Sequence, residues 1–272
     1  MTPMHETIPA GPPAAPWWGA LRAEWIRFWS LRSNVWQCLL LLAWIPGSIT
    51  LLLISQSQQG AALPAGAALP PLTGTALLDS VLWAQLLVGV CSARFATGEI
   101  SPGQLGLALL AVPRRWPIVA GKAALLAAVM GVCGAVSAAL GLCLAHTLAP
   151  HLGVEVTVEL GHGAALALLS GAYLAGIAVC CLGIGILVRW VILGAMIPLA
   201  VLTIIPAMLE STGIEAVRRA VGFLPSIAGR VAFADFENPA GLDGTSGLFV
   251  LTGWAVGMTA LAITALRVRD AG

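Results

Sequence analysis

Six apolar runs, each near or above the length that crosses a bilayer, constrain this chain more than any other feature. They lie at about 35–54, 75–97, 118–148, 163–188, 190–209 and 247–266. A transmembrane helix needs about 20 apolar residues. Unpaired backbone groups are costly in lipid, so runs of this kind fold as helices. The roughly ten-residue alternating segments of a transmembrane β-barrel are absent. Composition agrees: 59% of the 272 residues are hydrophobic and 9% charged, against roughly 25% charged in ordinary soluble domains. A mean hydropathy of +0.94 excludes both a lone soluble domain and a disordered chain. The expectation is an all-α integral membrane protein with six transmembrane helices. Residues 1–16, rich in Pro and Ala, read as a disordered tail, and 17–272 as one six-span domain. No run within 1–34 is long enough for a signal-peptide core.

The few charges are unevenly placed. Arg22, Arg27 and Arg32 precede span 1; Arg94, Arg114, Arg115 and Lys122 flank the span 2–3 connection. Arg189 separates spans 4 and 5, and Arg267 and Arg269 follow span 6. Ten of the thirteen basic residues thus fall on one side, which the positive-inside rule assigns to the cytoplasm. Only Arg218, Arg219 and Arg230 lie on the other, with Glu155, Glu159, Glu210, Glu215, Asp235, Glu237 and Asp243. Both termini are expected inside.

Three segments are more than spans. In Trp17 to Ser33, a helical wheel places Leu21, Trp25, Phe28 and Trp29 with Trp18 on one face, and Glu24 and Arg27 opposite. Trp-rich faces with basic neighbours suit the headgroup layer, so an amphipathic interfacial helix is expected. Between spans 2 and 3, Ser101 is placed to be an N-cap, Pro102 to start a helix and Gln104 to complete a capping box. Pro113 ends that helix at about eleven residues, too short to span. An apolar capped helix bracketed by Glu99, Arg114 and Arg115 fits a groove on a cytosolic partner. The third segment is the outer loop, 210–246. Ile214 to Val221 reads as a short amphipathic helix, and the apolar, Pro-broken run Phe223 to Gly229 as a segment that dips into the outer leaflet or caps a pore.

Within the spans, Cys38, Cys91, Cys133, Cys143, Cys180 and Cys181 show no metal-binding spacing and read as small packing residues. Gly131, Gly134, Ala138 and Gly141, then Ala172, Gly176, Gly183 and Gly185, permit close helix packing. Pro46, Pro198 and Pro206 are expected to bend spans 1 and 5. Asp79, about one turn inside span 2, is a candidate for the translocation path, with Ser80 and Gln85 extending a polar stripe. An Asp near a helix start is equally favoured by the helix dipole.

At the span 2–3 connection the chain resembles permease subunits of ABC-2 type ATP-binding-cassette transporters, of the kind common in actinobacteria. The residues that carry the resemblance are Glu99, Gly103, the apolar stretch Leu105 to Val112 and Pro113-Arg114-Arg115, with Lys122 beginning the next span. Glu24 to Ser33 and Leu224 to Gly229 resemble the family too, so the likeness extends from about residue 20 to the end. Two features depart from it: Gln104 stands where Thr is usual, and Ser101 and Gly106 where basic residues are common. The resemblance implies a half-transporter in the cell membrane, paired with a second, identical or similar, permease subunit. Each would dock a cytosolic ATPase that carries ATP and Mg. Residues 99–113 would be the coupling helix, with Leu105, Leu109 and Leu110 as packing anchors and Glu99, Arg114 and Arg115 at the rim. The cargo implied is hydrophobic or amphipathic: a drug, an antimicrobial peptide or a lipid-like compound, moved outward. No nucleic-acid partner is expected.

The chain itself lacks GxxxxGK[ST]: its Gly121-Lys122 pair is followed by Ala123 and lacks the earlier Gly. ATP hydrolysis is therefore expected on a separate chain, with no catalytic residue, metal or cofactor here. Two other readings compete with this one. Gly244-Thr245-Ser246-Gly247 matches the GxSG of rhomboid-like intramembrane proteases, but no His follows Ser246. His146, His151 and His162 lie earlier, and Ser246 suits an N-cap of span 6. His5-Glu6 has no second His at metalloprotease spacing. A secondary transporter would ordinarily bury more charge near mid-membrane.

Overall fold

The computed structural model describes residues 17–64, 69–97, 116–188 and 190–269. Among these, six helices are long and apolar enough to cross a membrane. A shorter helix, α1 (Trp17–Ser30), precedes them. Then follow α2 (Arg32–Ala61), α3 (Gly74–Thr97), α4 (Trp116–Leu152) and α5 (Leu160–Val188). The next, α6, runs through Val191–Leu199, a π-helical turn at Ala200–Ile204 and Ile205–Glu210. Two short helices, α7 (Glu215–Val221) and α8 (Pro225–Arg230), precede α9 (Gly244–Arg269). The six spans match the six apolar runs, with ends extended by up to seven residues.

The extensions have local causes. Thr73 accepts a hydrogen bond from Ala76 N and caps α3, which passes through a 3₁₀ turn at Leu78–Ser80. β1 (Leu72–Thr73) and β2 (Val156–Thr157) pair in parallel and tie the start of α3 to the end of α4. Between α1 and α2 the chain turns at Leu31, and the buried Asn34 amide donates to Phe28 O at the end of α1. α9 begins at Gly244, three residues before the apolar run, because Asp243 caps it. Its carboxylate accepts from Ser246 N at 2.7 Å, from Thr245 Oγ1 and from the Ser246 hydroxyl. The cap is thus Asp243, not Ser246. These bonds, the Ser246 hydroxyl first, hold the Asp243 carboxyl below the usual carboxylate range.

α5 is the central helix: 61% of its most apolar window is buried, against 11% for α9 and 22% for α6. Small residues set its contacts. A Cβ on Gly171 would meet Gly131 O at 2.5 Å, so the α4 and α5 backbones nearly touch there. Gly176 and Gly183 receive Leu251 and Met258 of α9, and Gly185 abuts Ala93 of α3. Gly141 of α4 accepts Ile45, Pro46 and Ile49 of α2. Without a hydrophobic drive between helices in lipid, such close packing carries association. Pro46 has no N–H for the Leu42 carbonyl one turn earlier. The one proton of the Ser137 hydroxyl of α4 is shared between Leu41 O at 2.8 Å and Leu42 O at 3.1 Å, so the neighbouring helix meets that gap in part. Large apolar side chains on the outside, such as Leu51, Leu168, Ile192 and Phe249, meet the surroundings directly. That surface belongs in a bilayer.

Candidate functional site

Polar and charged side chains gather at the two ends of the bundle. At the first, α1 lies against the start of α4. Glu24 Oε2 and Lys122 Nζ are 2.7 Å apart, and the two side chains are only 10% and 4% exposed. The Lys122 ammonium also sits 4.6 Å from the centre of the Phe95 ring, near the end of α3. Phe28, wholly buried, packs edge-on against Phe95. One cluster therefore ties α1, α3 and α4 together on both sides of the 98–115 connection. This corrects the helical wheel. Glu24 faces the bundle with Phe28, while Trp25, Ile26 and Trp29 are exposed and Arg27 is half-buried. Glu99, Gly103, Gln104, Leu105, Leu109, Leu110, Pro113, Arg114 and Arg115 lie outside the described residues.

At the opposite end, α8 is inserted among α3, α5 and α9 rather than lying on the surface. Pro225, Ser226, Ala228 and Gly229 are buried. Gly229 leaves room for the Tyr173 ring, and Gly247 of α9 abuts Ala228 O. The linkers are fastened as well. Trp254 Nε1 donates to Phe223 O at 2.8 Å, and Asn238 Nδ2 to Gly222 O at 3.0 Å.

This insertion brings Arg230, in the last turn of α8, to Asp79: Nη2 and Oδ1 are 3.2 Å apart. Asp79 is half exposed there, so the pair meets water on one side. The guanidinium also stacks 4.3 Å from the centre of the Phe236 ring. Below it, the buried Tyr173 hydroxyl donates to Gln85 Oε1 at 2.5 Å and lies 3.4 Å from Ser226 O. A tyrosine has one proton to give, and the shorter bond takes it. Asp79 and Gln85 thus each take a partner in the polar group at this end of the bundle. Ser80 does not join it; its hydroxyl turns back toward Leu77 O at 3.4 Å.

A cavity of about 230 Å³ opens between α3, the π turn of α6 and α8. Gln85, Thr203, Ser226, Arg230 and Glu210 supply its polar lining. Trp83, Pro206 and Phe236 are among its apolar walls. The π turn lies between Pro198 and Pro206, where the expected irregularity of span 5 falls. Such turns recur at functional sites. Two donors at the cavity are buried without a partner: Ser226 Oγ and Arg230 Nε. Leaving a buried donor unmet costs roughly 1–3 kcal/mol.

Sequence reasoning used Glu24 and Lys122 for polarity, orientation and the family resemblance, Ser226 for that resemblance alone and Arg230 for orientation, paired none of them and gave no role to Tyr173. The signal available was faint. Tyr173 is the chain's one tyrosine and stands mid-span. Arg230 directly follows the Leu224 to Gly229 segment. Among the described residues no group of three or more His, Cys, Asp or Glu could hold a metal ion. No family model, curated protein or solved structure matches the chain.

Proposed function

We propose that this chain is the transmembrane subunit of an ATP-binding-cassette exporter of the ABC-2 type, acting with a second permease subunit and separate cytosolic ATPases. The observation that carries the reading is the buried Glu24–Lys122 pair. It fastens α1 to α4 a few residues beyond the 98–115 connection, while Phe28 fastens α1 to Phe95 just before it. A push on that connection is therefore passed to three helices at once. In this orientation α1 and both termini face the cytoplasm, and exposed Trp25 and Trp29 reach the headgroup layer of the cell membrane. ATP and Mg reside on the partner, and this chain performs no hydrolysis of its own. The cavity beside Arg230 then lies toward the outer face, where cargo is released. ATP-driven transport needs an element with two arrangements that nucleotide biases. The half-exposed Asp79–Arg230 pair over a π turn is suited to be that element.

The reading is tested with Leu105→Asp and Leu109→Asp together. The parent chain is expected to co-purify with an ATP-binding-cassette ATPase encoded beside it, and the double variant to lose both this association and substrate-stimulated ATP hydrolysis. Unchanged association and unchanged stimulation would sink the assignment.

A further inference from the structure

We infer that Cys38 of α2 and Cys133 of α4 form a redox site, which a lipid hydroperoxide dissolved in the bilayer converts to a disulfide. The two helices run side by side with partners 95 residues apart. Near one end Ser57 Oγ donates to Leu152 O at 2.8 Å. At mid-span a Cβ on Gly141 would lie 3.5 Å from Pro46 Cα, so the backbones nearly touch. One turn earlier on both helices, Ser137 Oγ reaches Leu42 O at 3.1 Å. One turn earlier again stand Cys133 and Cys38, each the other's side-chain hydrogen-bond partner. Positions four apart share a helix face, so the thiols continue the same contact line. A disulfide joins only thiols whose backbones approach closely and whose side chains face each other. This register brings Cys38 and Cys133 together in that way.

Both thiols are free. Cys38 is 4% exposed, whereas Cys133 is half-buried and neighbours exposed Val132 and Val136 on the outer face of α4. Cys133 is therefore the thiol that lipid reaches, and an acyl-chain hydroperoxide carries its oxidant to that depth. The Cys133 sulfur attacks the outer peroxide oxygen. An S–O bond forms, the O–O bond breaks, and the thiol proton leaves with the lipid oxygen as an alcohol. The sulfenic acid on Cys133 is then attacked by the Cys38 sulfur. The S–S bond forms, the S–O bond breaks, and the Cys38 proton leaves with the hydroxyl as water. Two thiols are oxidised and one peroxide is reduced. The new bond fastens α2 to α4 two turns from Pro46. The site needs neither an ATPase nor a cargo, so it stands apart from the exporter reading.

The experiment uses the purified, reduced full chain in phosphatidylcholine nanodiscs, one copy to a disc. Phosphatidylcholine hydroperoxide is added to one sample and the unoxidised lipid to another. Free thiols are then alkylated in denaturant and the peptides read by mass spectrometry. With the hydroperoxide, the parent is expected to lose two of its six free thiols and to yield a peptide linked through Cys38 and Cys133. Reduction is expected to restore both. Cys38→Ser is expected to stop at the first step, leaving Cys133 as a sulfenic acid that dimedone traps. Cys91 of α3 lies within electrostatic reach of both thiols and is the internal comparison. Absence of the Cys38–Cys133 peptide from the parent would overturn the proposal. So would a link formed mainly through Cys91, or equal cross-linking in unoxidised lipid.

Discussion

Among the described residues an interhelical ion pair stands at each end of the bundle, and the two are built differently. Glu24–Lys122 is shut away from water, sits 2.7 Å apart and shares its site with Phe28 and Phe95. Asp79–Arg230 is longer, at 3.2 Å, with Asp79 half exposed and a cavity beside it. A buried pair cannot be opened cheaply, because each separated charge remains in a low-dielectric site. The second pair opens more cheaply, because water reaches the half-exposed Asp79 carboxylate when it leaves Arg230. The first is therefore a joint and the second a latch. In a transporter the joint belongs where force enters and the latch where the path must open.

The largest effect separates them. Glu24→Ala removes the buried carboxylate 2.7 Å from Lys122 and is expected to destabilise the protein more than any variant below, seen as a lower melting temperature in detergent. A melt unchanged from the parent would mean that the pair is no joint. Next comes Tyr173→Phe, which removes the donor to buried Gln85 and is expected to cost about 1–3 kcal/mol in the same assay. The Gln85→Leu variant, which removes the orphaned acceptor, is expected to recover part of that loss when added. Asp79→Asn, at the half-exposed side of its pair, should lower the melting temperature less than Glu24→Ala does. Opening of the latch in the parent should increase with salt, measured as hydrogen exchange along α8, and this salt dependence should vanish in the variant.

The smallest effect is local and depends on pH. The Asp243 carboxyl lies lower in the folded protein than in the unfolded chain. Its contribution is therefore complete above the unfolded value of about 3.9 and is lost as pH falls through the depressed folded one. Amide exchange at the start of α9 should quicken over that acid range, and Asp243→Asn should remove the pH dependence.

The spans were legible because lipid forbids alternatives: six apolar runs of sufficient length have no other way to satisfy their backbones. What the sequence hid was pairing at a distance. A wheel drawn on residues 17–33 puts Glu24 on the wet face because it knows nothing of Lys122, 98 residues later. Arg230 was visible as an outer-side charge, but its meeting with Asp79 depends on α8 folding inward. That in turn depends on small residues, Gly229 and Gly247, giving up space. The cap of α9 was misplaced for a local reason. Asp243 and Ser246 both satisfy the N-cap preference, and only the true start of the helix decides between them. Gly171 carries no mark in the sequence that separates it from the other small residues of span 4; its approach to Gly131 is set by how α4 and α5 cross.

The contrast between joint and latch is tested most directly by pulsed electron–electron distance measurements on the protein together with the ATPase that the proposed function calls for. One pair of spin labels, at the exposed positions Ile26 and Ala128, spans the joint, and another, at Thr73 and Asp235, spans the latch. A non-hydrolysable ATP analogue is expected to leave the first distance unchanged and to shift or broaden the second. A change across the joint, or a latch indifferent to nucleotide, would contradict the account.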